Sequence, residues 1–172
     1  MIGASLLGGG ALIAALAHYE KAIPPLLAEQ LPKADAVLVE KAERRLSLMH
    51  NGRAYRSYPV SLGPEPVGHK QREGDLRTPE GHYLIDWRNP NSCCYKSLHI
   101  SYPNAGDERR AAERGEDPGG LIMIHGQPNG WGWMSWIAPY LYRTHGCIAV
   151  RNTAMEEVWN AVNDGTPIEI RP

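Results

Sequence analysis

The sequence predicts a mostly β domain with few helices. Three observations carry that reading. Gly 18 and Pro 14 in 172 residues supply turn chemistry suited to short strands. Short alternating apolar segments recur between turn signals along the chain. Only one segment, near the C-terminus, carries a convincing helical stripe.

The elements follow in order. Ala36-Val37-Leu38-Val39 is a short apolar strand. Arg45-Leu46-Ser47-Leu48-Met49 alternates, and Asn51-Gly52 then signals a two-residue hairpin, because both residues tolerate positive φ. The return strand passes through Tyr55, Tyr58, Val60 and Leu62 until Gly63-Pro64 stops it. Residues 64–77 read as a polar loop, Thr78-Pro79-Glu80-Gly81 as a turn, and 82–87 as a strand. Residues 98–102 alternate again, and 103–120 read as a solvated, charged loop. Leu121-Ile122-Met123-Ile124 has the continuous apolar pattern of a buried strand and leads to His125-Gly126. Met155, Val158, Trp159 and Val162 form the helical stripe, with Thr153 and Glu156 spaced as a capping box and Asp164-Gly165 as its end. Residues 167–170 close the chain as a strand. The aromatic segment 131–142 suits a short helix, against which Pro139 argues.

Composition narrows the function. A formal net charge of -1 argues against a nucleic-acid binder, which wants a basic excess. A chain of 172 residues with 42% hydrophobic content can bury a core without a metal or disulfide staple, so one domain is expected over 35–172. Residues 2–17 carry no charge; as a helix they reach about 24 Å, short of the ~30 Å hydrocarbon core. That length fits the apolar region of an export signal or an N-terminal anchor, with Ala15-Leu16-Ala17 as a small-x-small cleavage signal, although no Lys or Arg precedes it. The expectation is a periplasmic or cell-envelope protein, with inner-membrane association through residues 2–17. Residues 18–34, with Pro24, Pro25 and Pro32, read as a tether.

Three cysteines are present, Cys93, Cys94 and Cys147. A bridge between the adjacent pair would be strained, and both read as loop thiols outside any site. Thr144-His145-Gly146-Cys147, with a second His-Gly at 125–126, holds the ingredients of a cysteine nucleophile. The thiolate is the reactive species, and a nearby imidazole can take its proton. Glycine at 146 permits close backbone approach, and amides at 146–147 suit an oxyanion hole. Two plainer readings stand beside this one: the histidines and thiol are structural, or His125, His145 and Cys147 hold a metal.

The segment from His125 to Asn152 resembles the catalytic signature of the L,D-transpeptidase, or YkuD-type, family. That signature is a His-Gly after a buried strand, a spacer, then Ser/Thr-His-Gly-Cys and an apolar residue. The resemblance extends over roughly 35–171 through Tyr58–Gly63, Thr78–Gly81 and Gly165–Ile170. It implies an L,D-transpeptidase-type β-sandwich with one helix near the C-terminus, acting on peptidoglycan stem peptides and needing no metal or organic cofactor. Its nucleophile maps onto Cys147, its general base onto His125 and its motif histidine onto His145, with Gly146 in the catalytic loop. Gly126, Thr144, Trp131 and Trp133 are expected around the substrate, Gly126 where the family's base is oriented. His145 has the alternative role of shaping the loop. Ala149 departs from the arginine most members carry two residues after the nucleophile, which the resemblance implies takes a cation from the wall of the acceptor pocket. With Ser101-Tyr102-Pro103-Asn104 it resembles the YafK-like branch. Transfer of the acyl group to an amine is the first reading and hydrolysis by a cysteine amidase or carboxypeptidase the second.

Overall fold

The structure is a computed structural model, and it describes residues 15, 20–131 and 144–172. The aromatic segment 132–142, with Trp133, lies outside the described residues, as do nearly all of residues 2–17. Among the described residues eight strands form one sheet: β1 (Ala36–Glu40), β2 (Arg45–His50), β3 (Arg53–Pro59), β4 (Gly81–Asn89), β5 (Ser97–Ile100), β6 (Met123–His125), β7 (Ile148–Ala149) and β8 (Thr166–Arg171). Their spatial order is β3-β2-β1-β8-β4-β5-β6-β7, with β1 parallel to β8, β6 parallel to β7 and the other pairs antiparallel.

The β2–β3 hairpin turns where the sequence places it. Asn51 and Gly52 sit at φ 51° and 73° with His50 opposite Arg53, the two-residue turn whose twist matches that of the strands. Beyond β3 the chain pairs with the far end of the sheet: the Ser61 amide donates to the Ala149 carbonyl at 2.8 Å, and the Ala149 amide donates back at 2.9 Å. The sheet therefore curls until its two edges meet, and its two halves pack face to face like the layers of a sandwich. The alternating apolar residues of the strands fill the interior. Val37, Val39, Leu46, Leu48, Ile85, Leu98, Ile124, Ile148, Ile168 and Ile170 belong to one buried cluster. Each contributes roughly 1.5–3 kcal/mol on burial.

The C-terminal-region helix is confirmed as Asn152–Ala161, with Met155, Val158 and Ala161 buried. Its start differs from expectation. Arg151 is the N-cap, its side chain making no capping hydrogen bond, and Thr153 already lies inside the helix. The Glu156 carboxylate instead accepts from Tyr95 Oη and Lys96 Nζ. A capping box is present elsewhere, at Asn104 and Asp107, and it opens a helix over Ala105–Glu113 in the segment read as a solvated loop. Charge on its outer face concealed the helix. With these labelled α1 (Ala105–Glu113) and α2 (Asn152–Ala161), the domain is mostly β as expected.

Two further segments differ from their sequence reading. Strand β6 begins at Met123 rather than Leu121, and Leu121 is 71% exposed at φ 53°. Residues 20–33, expected as a tether, lie against the domain. Residues 20–27 are helical, the Glu29 amide donates to Glu157, and Tyr55 Oη donates to the Pro32 carbonyl.

Candidate active site

The end of the sheet formed by β5, β6 and β7 positions the candidate chemistry. His125 closes β6 and sits opposite Ser97 of β5 and beside Ala149 of β7. Alternation along β5 and β6 sends Leu98, Ile100 and Ile124 to the core. The intervening Ser97, Met123 and His125 line a cavity of about 330 Å³. The loop before β7 brings Thr144, His145 and Cys147 to the same cavity, and the loop after β4 adds Ser92, Cys93 and Cys94. Cys147 and His125, 22 positions apart in sequence, thus share one concave wall.

The His125 ring is oriented from the backbone. Its Nδ1 lies 2.6 Å from the Gly126 carbonyl, which only accepts, so Nδ1 carries the proton and Nε2 is the basic nitrogen. Gly126 itself is buried. A Cβ there would come within 2.7 Å of Asn152 Oδ1 and of Tyr95 Cβ, so glycine is needed to bring the carbonyl under the ring. Its place is behind the histidine, where the resemblance put an acceptor that orients the base, and not on the cavity wall.

The nucleophile loop rests on residues 64–80, the segment read only as a polar loop and a turn. Thr78, fully buried, donates from Oγ1 to the Gly146 carbonyl at 2.9 Å. A Cβ on Gly146 would lie 2.6 Å from the Arg77 carbonyl, and φ there is +115°. Two buried lysines hold this support. Lys41 Nζ donates to the Gly68 and Thr78 carbonyls and pairs with Glu80; Lys70 Nζ pairs with Asp75 at 2.8 Å. The Asp75 carboxylate is held below its usual range: burial opposes this, but donation from the Gln71, Arg72 and Arg77 amides and from Lys70 outweighs it. Polar sequence here meant satisfied buried charge rather than solvent.

Thr144 lines the cavity and also braces the loop that carries Cys147. Its Oγ1 donates to the Cys147 carbonyl at 2.6 Å, and the Gly146 amide turns toward Thr144 Oγ1 at 3.4 Å. His145 is exposed and reaches the cavity rim. Trp131, 59% exposed in a turn, is absent from the cavity wall.

Both reactive groups are held in their neutral forms. Burial pushes the Cys147 thiol up; the Met123 amide opposes this and nearby Cys93 adds to it. Consistent with a thiol, Cys147 Sγ donates to the Leu121 carbonyl at 3.6 Å. Burial pulls the His125 imidazole down, partly offset by its bond to Gly126. The two shifts favour a thiol at Cys147 and a neutral imidazole at His125.

Two expectations are corrected by position. Cys93 and Cys94 belong to the cavity wall, because Asn129 ties their loop to the segment after β6: its amide donates to the Cys93 carbonyl, its Nδ2 to Ser92, and its Oδ1 accepts from Tyr95. Ala149 is fully buried in the seam between the sheet edges and does not line the cavity, so its side chain is no part of an acceptor wall.

Comparison with known proteins agrees with this geometry. Residues 34–170 match the L,D-transpeptidase catalytic domain, YkuD, and the chain belongs to that family. YafK of Escherichia coli (strain K12) is 32% identical over 133 residues, which cover 73% of this chain and 46% of YafK. This chain therefore aligns with about half the length of that curated relative. The helical cell shape determining protein Pgp2 from Campylobacter jejuni superposes with a TM-score of 0.60 at 27% identity, covering 78% of this chain and 46% of Pgp2. An L,D-transpeptidase from Mycobacterium smegmatis shares the fold at a TM-score of 0.53 and 15% identity, covering 80% of this chain and 58% of that one.

Proposed function

We propose that the domain transfers the acyl group of a peptidoglycan stem peptide through a thioester on Cys147. The observation that carries this reading is the His125 tautomer. With Nδ1–H committed to Gly126, Nε2 is left basic in the cavity that holds Cys147. As Cys147 Sγ attacks the carbonyl carbon of the third stem residue, its proton passes to His125 Nε2. The Cys147 amide donates to the oxyanion, a contact worth on the order of 3 kcal/mol in the transition state. The C–N bond to D-alanine breaks, His125 returns the proton to the leaving amine, and a thioester remains. An incoming amine attacks the thioester, His125 takes its proton, and the thiol is regenerated.

Hydrolysis is the second reading, and one observation favours it. No lysine or arginine lines the cavity among the described residues. Among those residues an amine acceptor that also bears a carboxylate finds no cation, and water needs none. The site of action we assign is the periplasm or cell envelope, with residues 2–17 as the export or anchoring segment. Mass spectrometry of muropeptides after incubation with disaccharide-tetrapeptide tests these readings. Transfer yields cross-linked dimers with release of D-alanine. Free tripeptide stems without dimers mean hydrolysis, and unchanged tetrapeptide overturns both.

A further inference from the structure

The cavity holds more thiol than the acyl transfer uses. Cys93 and Cys94 sit in the loop after β4, with Cys93 exposed at the rim and Cys94 buried in the wall. Their sulfurs are 3.3 Å apart. All three cysteines of the chain are thiols in this structure, and all three line this one cavity. Cys93 is near enough to Cys147 for its charge to raise the Cys147 thiol. Among the described residues no His/Cys/Asp/Glu group has the arrangement of a metal site, which leaves thiol chemistry as the use of the pair.

We infer that Cys93 and Cys94 form a sacrificial dithiol that reduces hydroperoxides reaching the cavity and so keeps Cys147 reduced. Exposure and burial set the order of events. The exposed Cys93 meets the oxidant first, while Cys147 is half-buried and held as a thiol, the less reactive form. The Cys93 thiolate attacks the terminal oxygen of the hydroperoxide, the O–O bond breaks, Cys93 becomes a sulfenic acid and an alcohol, or water from hydrogen peroxide, is released. The Cys94 sulfur then attacks the Cys93 sulfur, water leaves, and a Cys93–Cys94 disulfide forms. Two thiols lose two electrons and two protons, and one peroxide gains them. Adjacent Cα atoms are ~3.8 Å apart, below the usual span of a disulfide, so the bond is strained and readily reduced by a small dithiol. The pair is therefore restorable, whereas over-oxidised Cys147 is not.

The test is cysteine mapping by mass spectrometry of the full chain treated with stoichiometric hydrogen peroxide, with the activity of each protein compared with its own untreated rate. In the wild type, the peptide holding Cys93 and Cys94 should lose two hydrogens while Cys147 stays alkylatable, and dithiothreitol should reverse the change. In Cys93→Ser, which lacks the thiol that meets the peroxide first, Cys147 should be oxidised roughly tenfold faster. In the wild type a Cys93–Cys147 disulfide or oxidation of Cys147 ahead of the pair, and likewise equal Cys147 oxidation in wild type and Cys93→Ser, would each overturn the proposal. The mapping does not depend on turnover, so it stands or falls separately from the acyl-transfer reading.

Discussion

Glu157 and Cys147 are both titratable groups drawn away from water, and the fold treats them in opposite ways. The Glu157 carboxylate accepts from the Glu29 amide, from Arg56 twice and from Tyr58 Oη at 2.8–3.1 Å. Burial pushes its pKa up, but those donors outweigh it, and the group is held below the ordinary carboxylate range. Cys147 and His125 meet the same burial with only weak compensation, so the thiol goes up and the imidazole goes down. The first arrangement fixes a charge and welds residues 29, 56–58 and α2 together. The second leaves two groups neutral in one shared cavity. Uncompensated desolvation, in a cavity, is what separates the candidate site from a structural ion pair in this molecule.

Removing the base should give the largest effect on either side of this contrast. His125→Ala should slow turnover by about 10²–10⁴ while leaving the melting temperature near wild type. In the wild type, a lowered imidazole pKa keeps the base neutral to more acid pH. The acid limb of kcat/KM should therefore fall below the ordinary imidazole value of ~6.5. Alkylation of Cys147 without substrate should keep rising past the ordinary thiol value of ~8.5, because the thiol is raised. A flat alkylation profile from pH 6 to 9 would mean a preformed thiolate and would erase the contrast with Glu157.

Gly146→Ala comes next. A Cβ 2.6 Å from the Arg77 carbonyl, at φ +115°, forces the nucleophile loop off its support. The backbone strain costs about 1–3 kcal/mol, and kcat should drop at least tenfold with it. Steady-state kinetics beside thermal unfolding checks both.

Glu157→Ala should invert the pattern, with stability lost and chemistry kept. Arg56 and Tyr58 lose their acceptor, at roughly 1–3 kcal/mol in denaturant unfolding, with kcat per folded molecule little changed. The wild-type contribution is present above the unfolded carboxylate pKa, ~4.3, and disappears as pH falls through the lowered folded value. Glu157→Gln should flatten that acid dependence. A comparable fall in kcat would show that the network reaches the site.

Local chemistry was legible in the sequence, and distant assembly was not. The Asn51-Gly52 hairpin, the alternating strands, the α2 stripe and the His125-Gly126 and Thr144–Cys147 pairings are short-range patterns, and each has its counterpart in the structure. Cys93 and Cys94 carried no local signal, because the β5–β6 pairing and the grip of Asn129 bring them to Cys147. Polarity was read as a loop at 64–77 and as solvation at 103–120, where Lys70 and Asp107 are in fact buried and bonded. The spacing of Asn104 and Asp107 could have revealed α1. Ala149 was read as an altered pocket wall because the residue two after the nucleophile is an arginine in most relatives. Here the closing bridge to Ser61 turns that position into the seam.

The central claim is a covalent acyl group on Cys147. Acid-quenched mass spectrometry of the wild-type chain with disaccharide-tetrapeptide tests it most directly. The expected result is an adduct with the mass of the disaccharide-tripeptide acyl group, mapped to Cys147, absent in Cys147→Ala and discharged on longer incubation. Turnover by Cys147→Ala at the wild-type rate, or an adduct carried by Cys93 instead, would contradict it.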